Sequence, residues 1–198
     1  MYKLIYERDD QPFGKTWEEW TALWWQWVLA IPKDSNPGND PDGKKLGMDQ
    51  NDSNVIFLVG TYGGSAERNY DITADKAVLL PIINFTTCFI DEPDLKTEED
   101  LEFRAKHDID DIVEKNASIN GLKLGDVEKY RVRSNVFNVT YPPNNIFGLT
   151  PGPTQAVSDG YWVFLKPLPP GKYDIHVDGS CSSGRTKVQV TWHLTVRK

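Results

Sequence analysis

Val188 to Val196 alternates without a break: Val188, Val190, Trp192, Leu194 and Val196 are apolar, while Gln189, Thr191, His193 and Thr195 are polar. A sustained period of two fits a strand with one face in a core and the other in water. Tyr173, Ile175 and Val177 repeat the pattern just upstream, with Asp174 and His176 on the wet side. The two together predict a hairpin or an arch joining two sheets. Three continuous apolar runs, Val55 to Tyr62, Lys76 to Asn84 and Tyr161 to Leu165, read as strands buried on both faces, with Pro81 at a bulge or a sheet edge. Tyr2 to Tyr6 and Val136 to Tyr141 alternate more weakly. Strands never alternate with helices here, so a doubly wound sheet is disfavoured. The expected class is mainly β (α+β by strict count): an antiparallel β-sandwich with two amphipathic helices on or beside it, as a single domain over residues 1–198.

The first helix is expected near 16–31. Thr16 and Glu19 have the spacing of a capping box, and Pro32 stops the helix. Trp17, Trp20, Trp24, Trp27, Val28 and Ile31 follow at helical spacing, with Trp25 to one side of that stripe. Such a stripe reads first as core. The alternative is a platform for sugar rings, for which Trp25 and then Trp162 are the exposed candidates. A second helix is expected near 97–114, starting at Thr97 and burying Leu101, Ala105, Ile109, Ile112 and Val113. Between the first helix and the next strand, residues 33–54 form a long polar loop.

The formal net charge is −7, and 11 of the acids lie between Asp91 and Glu114 against three bases there. A chain of this charge without a basic stripe is a poor partner for nucleic acid or an anionic membrane surface. The acidic run reads as a solvated helix; a docking surface for a basic partner is the alternative. Cys88 is expected to be buried and Cys181 exposed, both as free thiols, with no metal-ligand spacing around either. The first ten residues show no signal-peptide pattern, leaving the compartment open.

The motifs for nucleotide phosphates, for zinc proteases and for a serine nucleophile elbow are missing. His176 and His193 fall on the same wet face, but a symmetric hairpin would place them too far apart to share a metal. The polar loop is rich in oxygen ligands, and Asp40, Asp42 and Asp49 have offsets that suit calcium, although Gly38 stands where the first carboxylate is needed. No other cofactor is indicated. Gly63, Gly64 and Arg68 together suggest freed backbone amides beside a guanidinium, suited to a carboxylate or phosphate; a tight turn and an ion pair is the plainer reading. Glu18 or Asp159 with Asp71 is a carboxylate combination that the spacing does not support.

Four blocks in order carry a resemblance. They are Trp20 with Trp24-Trp25-Gln26-Trp27, Ile31-Pro32 and Asn36-Pro37; Phe57 to Gly64 with Arg68; Lys76 to Asn84; and Asp159 to Trp162 through Pro167 to Gly171 and Ile175-His176. Together they resemble a group of uncharacterised bacterial proteins, many of them exported, and span most of the chain. The group brings no activity with it. Its members often carry cysteines in the long polar loop and just after the arginine of the second block; here those places hold residues such as Leu46 and Tyr70. The resemblance therefore implies that this chain lacks the corresponding bridge. The expected function is non-enzymatic binding of a small molecule, with a glycan as one class. The alternatives are a carboxylate-dependent hydrolase of a glycan or ester, and an interaction protein docking through its acidic helix.

Overall fold

The structure, a computed structural model, describes residues 4–45, 50 and 53–198. Two five-stranded sheets face each other across one large apolar cluster. The strands are β1 (Val55–Phe57), β2 (Gly64–Thr73), β3 (Ala77–Cys88), β4 (Ile112–Ile119), β5 (Leu122–Lys123), β6 (Arg131–Arg133), β7 (Phe137–Tyr141), β8 (Gly152–Leu165), β9 (Gly171–Cys181) and β10 (Lys187–Arg197). The first sheet runs β1-β3-β8-β6, with β7 pairing the leading half of β8. The second runs β2-β10-β9-β4-β5. The helices are α1 (Trp17–Ala30) and α2 (Glu98–Asp110). This is a β-sandwich with helical additions, mostly antiparallel but with two parallel pairs, β1 with β3 and β2 with β10.

β9 and β10 form the expected hairpin, with Val177 opposite Val190 and Ile175 opposite Trp192. The bulge required by Pro81 lies between Pro81 and Ile83 in the pairing of β3 with β8. Both helices start on a capping box, Thr16 with Glu19 and Thr97 with Asp100. Each box satisfies amides that a helix start otherwise leaves open.

Several expectations are corrected. The run from Val55 pairs as a strand only to Phe57, at the edge of its sheet rather than at the centre, although Leu58 and Val59 remain buried. β2 was hidden by its charges: Glu67, Asn69 and Asp71 face water while Arg68 faces inward, directly beside Trp192 of β10. The second helix stops at Asp110, and Val113 is 60% exposed on β4 rather than packed on a helix face. Residues 142–160, which their proline and glycine content suggests as a loop with a turn at Asp159-Gly160, are loop only as far as 151; β8 begins at Gly152, and Asp159-Gly160 is strand. Gly160 is needed there because a Cβ would lie 2.7 Å from the Asn84 Cα of the neighbouring strand. Cys181 is buried, like Cys88, and both thiols are free. Of the expected first strand, residues 2 and 3 lie outside the described residues, and Ile5 makes a single bridge to Leu165.

The tryptophan stripe is core. Trp17, Trp20 and Trp24 are buried, and each indole N–H donates to a backbone carbonyl: Glu7 at 3.1 Å, Pro12 at 2.8 Å and Leu58 at 3.0 Å. Large rings thus fill the space between α1 and the first sheet without leaving those polar atoms unpaired. Trp25 is not surface either: it is 3% exposed and meets Trp24 edge to face at 4.9 Å.

Candidate functional site

The cavity of interest follows from where β1 ends. β1 pairs only with Ala77 to Leu79 of β3. The chain then leaves the first sheet, runs through residues 58–63 and enters β2 in the second sheet. Among the described residues, the stretch of β3 from Pro81 onward is therefore left without a strand neighbour on that side. Beside it lies a cavity of about 300 Å³. Both sheets contribute walls, Ile83 and Asn84 from β3 and Val177, Val188 and Val190 from β9 and β10, and α1 adds Trp24 and Trp25.

Its mouth carries Tyr62 and Phe147, packed edge to face at 5.0 Å and 37% and 42% exposed. The Tyr62 hydroxyl donates to Asn36 Oδ1 at 3.2 Å. Burial pushes the Tyr62 phenol pKa well above its ordinary value, so it stays a neutral donor. Beneath the ring lies Gly38, where a Cβ would sit 2.1 Å from Tyr62 Cε2. Asn36 is fully buried and ties three parts together. Its amide donates to the Val28 carbonyl at 2.7 Å and the Ile31 carbonyl at 3.3 Å, closing the end of α1, while its oxygen also accepts from Gly38 N at 2.9 Å. The sequence reading counted Asn36 only as one more oxygen of a polar loop. The signal that marked it was its place in the Ile31-Pro32 to Asn36-Pro37 block.

Arg68 holds the same wall from behind. It is 1% exposed, and its guanidinium meets no carboxylate among the described residues. Nε donates to the Asp40 carbonyl at 2.7 Å, one terminal nitrogen to the carbonyls of Val59 and Gly60, and the other to Gly38 at 3.4 Å. Desolvation lowers its pKa, with the nearby Asp40 charge working against that shift. Arg68 is thus a clamp between residues 38–40 and the cavity wall at 59–60, and its donors are engaged within the protein rather than offered to an anion. Gly63 and Gly64 are exposed and take positive φ values, 134° and 82°, as the chain turns into β2. They supply the turn, not an amide nest around Arg68.

The remaining candidates separate. Trp162 is fully buried against Trp24 at 5.4 Å and is no surface platform. Asp40 is buried and its carboxylate accepts from the amides of Asp42 and Lys45, at 3.4 and 2.6 Å. Asp42 pairs with Lys44, and Asp49 lies outside the described residues. Among the described residues no group of three or more His, Cys, Asp or Glu side chains is placed to hold a metal ion. Glu18 pairs with Arg8, Asp71 with Arg197 at 2.6 Å, and the buried Asp159 with Arg131 at 2.7 Å. Burial works to raise the Glu18 pKa, but the hydrogen bond and charge of Arg8 outweigh it and the pKa is lowered. Much of the acidic run is also answered from within: Arg185 and Arg104 reach Asp108, Lys106 and Arg131 reach Asp110, and Arg133 reaches Glu102. His176 lies opposite Thr191 across the hairpin, and His193 lies between Asp174 and Glu67, each at 2.7 Å.

Two residues of the cavity lining carry a side-chain nitrogen without a hydrogen-bond partner. Trp25 Nε1 and Asn84 Nδ2 are both buried and make no hydrogen bond within the protein. The indoles of Trp27, Trp162 and Trp192 and the Ser158 hydroxyl share that condition, so it is not peculiar to the cavity.

No family model and no curated protein sequence matches the chain. Among solved structures, it is similar to the cysteine protease inhibitor EhICP2 from Entamoeba histolytica, at 12% identity and a TM-score of 0.26, covering 72% of this chain and 96% of that one. It is also similar to a chain in the structure of PbICP-C in complex with falcipain-2, at 11% identity and a TM-score of 0.28, covering 72% of this chain and 98% of that one.

Proposed function

We propose that this chain binds a small molecule in the cavity behind Tyr62 and Phe147 and performs no chemistry on it. The observation that carries this reading is a preformed cavity of about 300 Å³ walled mainly by aromatic and aliphatic side chains from both sheets and α1. Cavities of this size, apolar with a few convergent polar groups, are the usual form of a small-molecule site. Binding is favoured over hydrolysis because Glu18, Asp71 and Asp159 are each engaged by an arginine, and among the described residues Asp91 is the one carboxylate on the lining. A pyranose fits the walls less well than an apolar molecule. It would bring a hydroxyl on nearly every carbon against aromatic and aliphatic side chains, leaving most of them unpaired.

The test is a thermal-shift panel of small ring compounds, common glycans and calcium with EDTA, run on the parent and on Gly60→Leu. Gly60 is on the lining, and a Cβ there meets only Val190 Cγ2 at 3.8 Å, so leucine fills the cavity without a backbone clash. A ligand at about 100 times its dissociation constant stabilises by about 2.7 kcal/mol, which is several degrees for a chain of this size. The expected result is a shift with at least one ring compound that Gly60→Leu abolishes. Shifts that are the same in both proteins, or no shift with any compound, reject the cavity as the binding site.

A further inference from the structure

The cavity lining includes every residue of β3 from Pro81 to Thr86. Successive side chains of a strand point to opposite faces, so a space touched by all of them lies along the strand's edge rather than over one face. The burial of β3 agrees. Asn84, Phe85 and Thr86 are half-buried within a strand that is buried before and after them, and consecutive residues opened together are opened through the edge. At about 3.3 Å per residue these three present about 10 Å of edge, the length of a capped tripeptide.

That edge lacks main-chain partners. A strand directs its N–H and C=O groups to both sides, and β8 takes those on one side. On the other side β1 pairs with Ala77 to Leu79, Leu58 N donates to the Leu79 carbonyl at 3.0 Å, and the pairing stops there. Among the described residues, no backbone group from Ile82 to Thr87 makes a hydrogen bond outside the pairing with β8. An open edge of this kind is a template for another extended chain.

The space beside it is bounded as a strand position would be. α1 lies on the outer face of the first sheet and brings Trp24 and Trp25 to the cavity, while the second sheet lies on the inner face and brings Val177, Val188 and Val190. Ile83 marks the inner face, since a Cβ on Gly179 of β9 would sit 2.9 Å from its own Cβ. The cavity therefore continues the line of β1 along β3, between two apolar layers. A strand buried on both faces is apolar on both. Among the described residues no lysine, arginine or histidine lines the cavity, so an acidic group would be desolvated there without a countercharge.

We propose that the occupant is a short, extended, apolar peptide without acidic groups, which adds a strand to the edge of β3 where β1 ends. Main-chain hydrogen bonds to the stretch from Ile82 to Thr86 hold it, and its side chains alternate between the indoles of α1 and the valines of the second sheet. This rests on the reading of the cavity as a small-molecule site and specifies its occupant.

Four probes separate the terms: acetyl-Val-Ala-Val-amide; the same peptide N-methylated at every residue, which keeps the side chains and removes their backbone donors; acetyl-Val-Asp-Val-amide; and naphthalene, apolar without a main chain. Each is titrated into 15N-labelled protein, following the backbone amides of Ile82 to Thr86, with Gly60→Leu as the filled-cavity control. The expected result is that the first peptide moves those amides, slows their exchange with water and binds at least tenfold tighter than the other three probes. Loss of one good hydrogen bond corresponds to about a tenfold change in affinity. Gly60→Leu should abolish its binding. The methylated peptide or naphthalene binding as tightly overturns strand addition and leaves cavity binding standing, and the aspartate peptide binding as tightly overturns the exclusion of acidic groups. If no peptide moves the amides, the peptide reading fails; the cavity reading fails with it only if naphthalene and the ring compounds of the thermal-shift panel also give no response.

Discussion

Replacing Arg68 by methionine isolates what the buried guanidinium does. Methionine keeps an unbranched stem that packs beside Trp192, and removes the fork that serves the carbonyls of Gly38, Asp40, Val59 and Gly60. The Gly38 contact is the longest at 3.4 Å and contributes least. Gly60 is half-exposed, so water can replace its lost donor. That leaves the carbonyls of Asp40 and Val59, in residues 2% exposed, without partners. A buried acceptor stripped of its donor costs about 1–3 kcal/mol, giving about 2–6 kcal/mol for the two. Relief from burying a charge offsets part of this. The expected net loss is about 3 kcal/mol, or roughly 6–12 °C in melting temperature for a chain of this length. Arg68→Lys keeps the charge but presents its donors from a single point, and should recover less than half of the loss. The assay is calorimetric unfolding of parent and both variants, with amide exchange read at residues 59–62. A drop under 2 °C for the methionine variant, or a lysine variant that melts like the parent, would refute the clamp.

Trp24→Ala should cost about 3–5 kcal/mol, whereas Trp24→Phe, which removes chiefly the N–H donated to Leu58, should cost about 1–2 kcal/mol by urea denaturation. Gly38→Ala should push the Tyr62 ring off its seat and increase acrylamide quenching of the cavity tryptophans, at little cost to global stability. The pKa of His193 is raised by Asp174 first and Glu67 second, with Asn69 and Thr191 its uncharged neighbours. Its stabilising pairs are therefore fully formed below the unfolded histidine value of about 6.5 and are lost as pH rises through the higher folded value. A melting temperature that falls between pH 6 and 9 in the parent, and less so in His193→Gln, is the expected outcome. Identical profiles would contradict it.

Local patterns were strong wherever one residue type has a narrow range of uses. The alternation of Val188 to Val196, the capping box at Thr16, the helix start at Thr97 and the irregularity at Pro81 were legible because each depends on backbone geometry within a few residues. β2 was not legible, since its inward positions include Ala66, Arg68 and Tyr70, and only pairing with β10 shows which face is which. The cavity was legible only as ingredients. Trp25 was singled out for being off the stripe, a position that reads as surface on an isolated helix but here falls beside Trp24 and β3. Arg68 was singled out for an anion that its surroundings replace with carbonyls. Asn84 was passed over inside an apolar run, because nothing local distinguishes a strand asparagine with a partner from one without.

The sequence by itself determined the kind of molecule: strands with one buried face, helices with defined starts and an indole stripe that had to be covered. These follow from periodicity and capping, which act between neighbours along the chain. Tertiary structure alone decided where α1 is covered, which sheet each strand joins and where a space is left. The cavity exists because β1 ends at Phe57 and the chain crosses to the other sheet, exposing the flank of β3 from Pro81 onward. A gap of that kind is a property of elements distant in sequence and brought side by side, and no single stretch of residues contains it.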